Sequence, residues 1–187
     1  MVPLNTVFWG LLLLFGLIGA LRGWAKEILV SFSVLLSLFV QQITAQYILK
    51  PGNPYLPLLL AVEGTTPPAY TGTHFRVCAV VLMMLAFFGY ASPAAFASRI
   101  GAKVARERVV HAFLGFFLGV LNGYLIVGTL WFYMAQTGYA LWGVTSPAEG
   151  SAAWMVAASY LLPRWMNVPT LYVVIAVSFV FVIIVFV

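Results

Sequence analysis

The chain has 187 residues, of which 64% are hydrophobic and only 7% charged, against ~25% charged residues in ordinary soluble domains. Nine Lys or Arg and four Glu, with no Asp, leave a net charge of +5, and the mean hydropathy is +1.06. So few charges cannot cover a soluble surface, and disorder needs the opposite composition, which sets aside a soluble enzyme, a nucleic-acid binder and a secreted disulfide scaffold in favour of an all-α integral membrane protein.

Crossing a hydrocarbon layer of ~30 Å takes about 20 helical residues. The first such run covers residues 4–21, with no charge ahead of Arg22. Ile18, Gly19 and Ala20 faintly resemble a signal-peptidase site. A signal peptide, however, carries its positive charge before the apolar stretch. Here Arg22 and Lys26 follow it, so the span is expected to be retained. The second span covers 28–49 and frays at Gln41, Gln42 and Gln46. The third covers 77–97 and contains Pro93, whose ring is expected to kink the helix and release the carbonyl of Gly89. The fourth covers 109–135 and the fifth 168–187. Uncharged stretches of this length without alternating polarity favour helices over a β-barrel.

The connections alternate in length. Residues 22–27 and 99–108 are short and hold six Lys or Arg: Arg22, Lys26, Arg99, Lys103, Arg106 and Arg108. Residues 50–76 and 136–167 are long and hold three: Lys50, Arg76 and Arg164. Basic residues stay on the cytoplasmic side, so the N-terminus is expected outside and, after five spans, Val187 inside. Within the long loops, residues 56–62 are apolar but too few to span. Residues 151–162 are Ala-rich and end before Pro163, Arg164 and Trp165. They read as a short helix, lying in the outer leaflet or packed on the bundle. Trp24, Tyr47, Tyr70, Tyr133, Trp142 and Trp165 fall near span ends and fit interfacial aromatic belts. Cys78 is the only cysteine and has no intrachain partner.

The most ordered feature is the trio Gly115, Gly119 and Gly123 on one face of the fourth span. Glycines at this spacing leave a groove in which another helix can approach closely, the usual source of packing energy between helices in lipid. Gly16 and Gly19 form a weaker version in the first span, with Ala20 and Gly23 one turn on. The partner helix, in the same chain or another, is left open by the spacing. Asn122 sits beside the glycine face near mid-span, and its amide needs a hydrogen-bond partner at that depth. His74 and His111 lie at opposite membrane faces and cannot share a metal, although each is a candidate ligand for a haem or chlorin. No metal motif, phosphate loop or nucleophile elbow is present. The four glutamates, Glu27, Glu63, Glu107 and Glu149, are all expected to flank spans, leaving no carboxylate at mid-membrane to relay protons. A general acid, base or nucleophile has no candidate, and enzymatic activity is not expected.

Two segments carry a family resemblance. Residues 19–27, with Arg22, Gly23, Lys26 and Glu27, resemble the hairpin that closes the first span in the colicin V production (CvpA) family. Residues 107–127 open on Glu107 and Arg108 and continue through Gly115, Gly119, Asn122 and Gly123. They resemble that family's acidic-Arg opening and glycine-rich fourth span. A weaker likeness lies in residues 159–163, from Ser159 to Pro163. The resemblance covers roughly residues 4–165 and implies a small bacterial inner-membrane protein without enzymatic activity. The chain departs from the family pattern twice. Asn122 stands where the family usually has Arg, so a role resting on a buried cation in the fourth helix does not carry over. Residues 166–187 add a span to the family's usual four.

These readings together lead to a four-span core at residues 1–165 with an appended fifth helix at 166–187. The expected function is that of a non-enzymatic accessory subunit, meeting lipid and other membrane subunits through the glycine face and the fifth helix. A small transport or export component is the alternative, with Asn122 and the Pro93 kink lining a path. No cofactor is required; contact with a pigment, haem or lipid is left open.

Overall fold

In a computed structural model, residues 3–48, 72–91, 108–139, 144–161 and 168–186 are described. Every regular element among them is helical: α1 Leu4–Arg22, α2 Trp24–Ile48, α3 Gly72–Ala91, α4 Arg108–Gln136, α5 Ala152–Met155 continued by a π turn at Val156–Tyr160, and α6 Val168–Phe186. Four of them, α1 to α4, are long and apolar enough to cross a membrane. The chain is an all-α, multi-pass membrane protein. Its outward residues are apolar: Leu21, Val109, Phe87 and Phe88 are each more than 70% exposed. Such a surface is consistent with contact with lipid.

α1 begins on Pro3, whose carbonyl accepts from the amides of Thr6 and Val7. It stops at Gly23, which returns its own amide to the Gly19 carbonyl at 2.8 Å. Gly23 adopts φ = +85°, a conformation open to glycine and costly for other residues. One residue therefore reverses the chain, and α2 starts at Trp24. The sequence reading began the second span at residue 28 and left Glu27 outside it. In the structure Glu27 lies in the first turn of α2, where an acidic side chain favours the positive end of a helix, and it is completely buried. The expectation that Glu27 flanks the second span is thus corrected. The expected fraying of α2 is also absent. The helix continues to Ile48, and Gln41 is held within it, donating to Ser37 Oγ at 2.9 Å and accepting from the Tyr133 hydroxyl at 2.5 Å.

The helices alternate in direction. α1 runs antiparallel to α4, with Gly23 beside His111, Gly19 beside Gly115, and Phe8 beside Trp131. α2 runs parallel to α4, since Glu27 meets Asn122 and Gln41 meets Tyr133. α3 packs mainly on α2, with Gly89 against Ser33 and Val30. α6 lies antiparallel on α2 through Phe39 with Tyr172 and Phe32 with Phe179. Val30, Val34, Leu38, Leu82, Ala86, Leu125, Ile126 and Leu171 form the central core where α2, α3, α4 and α6 meet.

Residues 151–161 rest on the bundle along one side, while Trp154, Met155 and Tyr160 stay exposed. Ser151 Oγ caps α5 by accepting from the Trp154 amide at 3.2 Å. Ala153, Ala157 and Leu161 recur every four residues and are buried against Phe8, Leu12 and Trp131. The Tyr124 hydroxyl donates to the Tyr160 carbonyl, which fastens the π turn to α4. Two of the expected belt aromatics are likewise turned inward. Tyr133 is buried, and Trp24 stacks edge-on against His111. Tyr70, Trp142, Trp165, Pro93 and residues 56–62 lie outside the described residues, as does the side chain of Tyr47.

Candidate functional site

Five residues from three sections of sequence meet near the hairpin: Arg22, Glu27, Ser31, Tyr90 and Asn122. Arg22, the last residue of α1, projects across the turn toward α2. Its Nη1 donates to Glu27 Oε1 at 3.2 Å, and its Nη2 to the Tyr90 carbonyl near the end of α3 at 3.0 Å. The guanidinium carbon stands 4.3 Å from the centre of the Tyr90 ring, a cation–π arrangement. From the opposite side, Asn122 Nδ2 donates to Glu27 Oε2 at 2.8 Å and to the Glu27 carbonyl at 2.9 Å. The Ser31 hydroxyl donates to Asn122 Oδ1 at 2.6 Å and also lies 3.1 Å from the Glu27 carbonyl. Glu27 and Asn122 have no exposed surface, whereas the Arg22 side chain is 22% exposed. Each carboxylate oxygen thus has a donor, as a charge inside an apolar bundle requires.

The glycine seam runs beside this cluster. A Cβ added to Gly19 would overlap the Gly115 carbonyl oxygen and come within 2.8 Å of the Gly119 Cα. A Cβ on Gly119 would overlap the Phe15 carbonyl oxygen. Gly16 meets Phe116 and Val120, and Gly123 meets the Phe15 ring. Gly19, Gly115 and Gly119 therefore bring α1 and α4 together backbone to backbone, while Gly16 and Gly123 make room for side chains of the facing helix. This answers the question that their spacing left open: the face is filled by the chain's own α1. The expectation that it receives another subunit is corrected.

The remaining candidates are scattered. Lys26 is half-buried in the first turn of α2 and forms no ion pair among the described residues. Glu107 lies outside the described residues; Arg108 opens α4, but its side chain is not described. His111 packs its Nε2 on Gly23 and its ring on Trp24, with centroids 6.5 Å apart. His74 sits at the other end of the bundle, with Nε2 3.6 Å from Cys78 Sγ and its ring edge-on to Tyr133. Among the described residues no three His, Cys, Asp or Glu converge on a metal position. A groove of about 650 Å³ opens at that same end, between Pro3, Asn5, Thr145, Ser146 and Ala152. No charged side chain lines its described part, and it is remote from the Arg22–Glu27 cluster.

Comparison with protein-family models, with characterised proteins and with solved structures finds no match to this chain. The functional reading therefore rests on the site itself.

Sequence reasoning placed Asn122 correctly at mid-helix but found none of its partners. A signal was present. Glu27, Ser31, Ser37 and Gln41 fall on adjoining positions of one side of α2, and Asn122, Thr129 and Tyr133 on one side of α4. Two polar stripes of this kind inside apolar helices mark faces that must meet each other, because lipid offers them no partner.

Proposed function

We propose that the protein is a non-enzymatic component of a bacterial inner-membrane assembly, of the colicin V production kind. One observation carries this reading. The two stretches that resemble that family, 19–27 and 107–127, are far apart in sequence, yet they supply both sides of a single buried lock: Arg22 and Glu27 on one, Asn122 and the glycines on the other. The polar groups of that lock bond one another and present no nucleophile or base to a substrate, which supports a packing role over catalysis. A second reading, a small transport or export component, is favoured by Glu27, since an ionisable group inside a span is a default candidate for a transport function.

In this proposal α6 is a fifth membrane-spanning helix, the N-terminus is outside, and the six basic residues of the short loops hold those loops in the cytoplasm. In a Cys78→Ser background, Lys103→Cys should resist an impermeant maleimide in intact cells and Thr66→Cys should label. The reversed pattern would invert the topology.

The exposed side of α6 is the surface offered to a partner. α6 rests on α2 through Leu171 and Ile175, while Val173, Val177 and Val180 face outward. Deleting residues 168–187 should leave the rest of the chain inserted and detach it from its assembly on blue-native gels of native membranes. If the truncated protein still migrates with a large complex, α6 is not the docking element. If the full-length protein migrates alone, the accessory-subunit reading fails and transport remains.

A further inference from the structure

The environment of the Arg22 guanidinium has the composition of a receptor for a planar cation. A carboxylate oxygen accepts one edge at 3.2 Å, a backbone carbonyl accepts the other at 3.0 Å, and an aromatic face covers the plane at 4.3 Å. These three elements read charge, in-plane N–H direction and flatness together. A compact ammonium can supply the charge and a donor but neither the paired in-plane N–H groups nor the flat face, and an alkali ion has no N–H to offer the two acceptors.

The receptor is built independently of its occupant. Glu27 is positioned from behind by Asn122, which bonds both its carboxylate and its carbonyl, and Asn122 is in turn fixed by Ser31. Removing Arg22 would leave a carboxylate that is still oriented, fully buried and without a counter-charge among the described residues. On the same ring, the Tyr90 hydroxyl is enclosed and has no partner among the described residues, a further polar atom that Arg22 does not use. Arg22 enters from α1, and its side chain retains 22% exposure, so the box has an open side.

We infer that the box formed by Glu27, the Tyr90 carbonyl and the Tyr90 ring is a binding site for small guanidinium- or amidinium-type cations, with Arg22 as its tethered occupant. No bond is made or broken; the external cation replaces the side chain, whose own charge moves to the exposed side. A side chain on so short a tether competes at an effective concentration in the millimolar range or above. The native protein is thus closed to weak ligands and opens to those that outcompete Arg22. This inference does not depend on the accessory or transport reading.

Methylguanidinium is the probe, titrated into purified full-length protein in detergent at concentrations far below those that denature, with binding read by calorimetry and thermal shift. Arg22→Ala should bind it saturably, at about tenfold or more lower concentration than the native protein. Potassium and ammonium chloride at equal ionic strength should not reproduce the effect. Adding Glu27→Gln to Arg22→Ala should abolish binding. Arg22→Lys serves if the alanine variant does not fold, since it keeps the charge without the planar fork; methylguanidinium should displace the lysine at lower concentration than it displaces Arg22. The inference is overturned if neither variant binds saturably, if potassium acts equally well, or if binding survives Glu27→Gln.

Discussion

Gly19→Ala should lower the stability of the protein in detergent by about 1–3 kcal/mol, the range for overpacking a close-fitted interior, and Gly119→Leu by more. The reason lies in which atoms collide. A methyl group on Gly19 meets the Gly115 carbonyl oxygen and the Gly119 backbone, and backbone cannot turn aside as a side chain does. Relief requires α1 and α4 to separate along their whole contact, which is the most extensive one between helices among the described residues. Gly10 supplies the control within the same helix. A Cβ there meets nothing within 4 Å, so Gly10→Ala should be neutral or stabilising by up to about 1 kcal/mol through helix propensity. Val180→Leu, on the outward side of α6, should also be mild. Thermal unfolding of the four variants side by side checks the argument, and equal melting of Gly19→Ala and Gly10→Ala would disprove the seam.

A larger loss is expected for Arg22→Met. Glu27 would keep its Asn122 bonds and lose its only counter-charge among the described residues. Leaving one member of a buried ion pair alone costs about 3–5 kcal/mol, whereas replacing both by neutral groups is often tolerated. Arg22→Met with Glu27→Gln should therefore be more stable than Arg22→Met by itself. That rescue separates an electrostatic cause from lost packing by the long Arg side chain. Chemical denaturation of native, single and double variants gives the coupling energy, and a double variant at least as unstable as Arg22→Met would show that the charge of Glu27 is not what Arg22 serves.

The helices were legible in the sequence to different depths. Hydropathy alone located α1, α4 and α6 nearly to the residue, because their apolar runs start beside a charge or a proline, at Pro3, Arg108 and Pro169. It placed the start of α2 four residues late, because Lys26 and Glu27 look like loop residues when burial is judged from charge. What hydropathy cannot register is a charge whose partner lies five positions back and whose second partner lies 95 positions on. The glycine face was readable as a face, from its four-residue spacing. Its occupant was not, since a groove between small residues accepts any helix that fits, and only the fold decides that α1 is the one. The same limit applied to residues 151–162. Alternating Ala positions announce a buried side, but a bilayer and a bundle are equally apolar to such a pattern.

The reversal at Gly23 joins α1 and α2 through one residue, yet α1 makes its principal contact with α4 and only a slight one with α2. These two helices are therefore neighbours in sequence that leave the ribosome before α4 and wait for a companion made some ninety residues later. During that interval Glu27 has no Asn122. Arg22, five positions away, is the one charged partner made together with it, so Glu27 can enter the membrane already paired. Its final seating belongs to the arrival of α4, and contacts so distant along the chain close slowly. Biogenesis of this small protein is thus divided into an early step governed by a local charge pair and a late one governed by glycine.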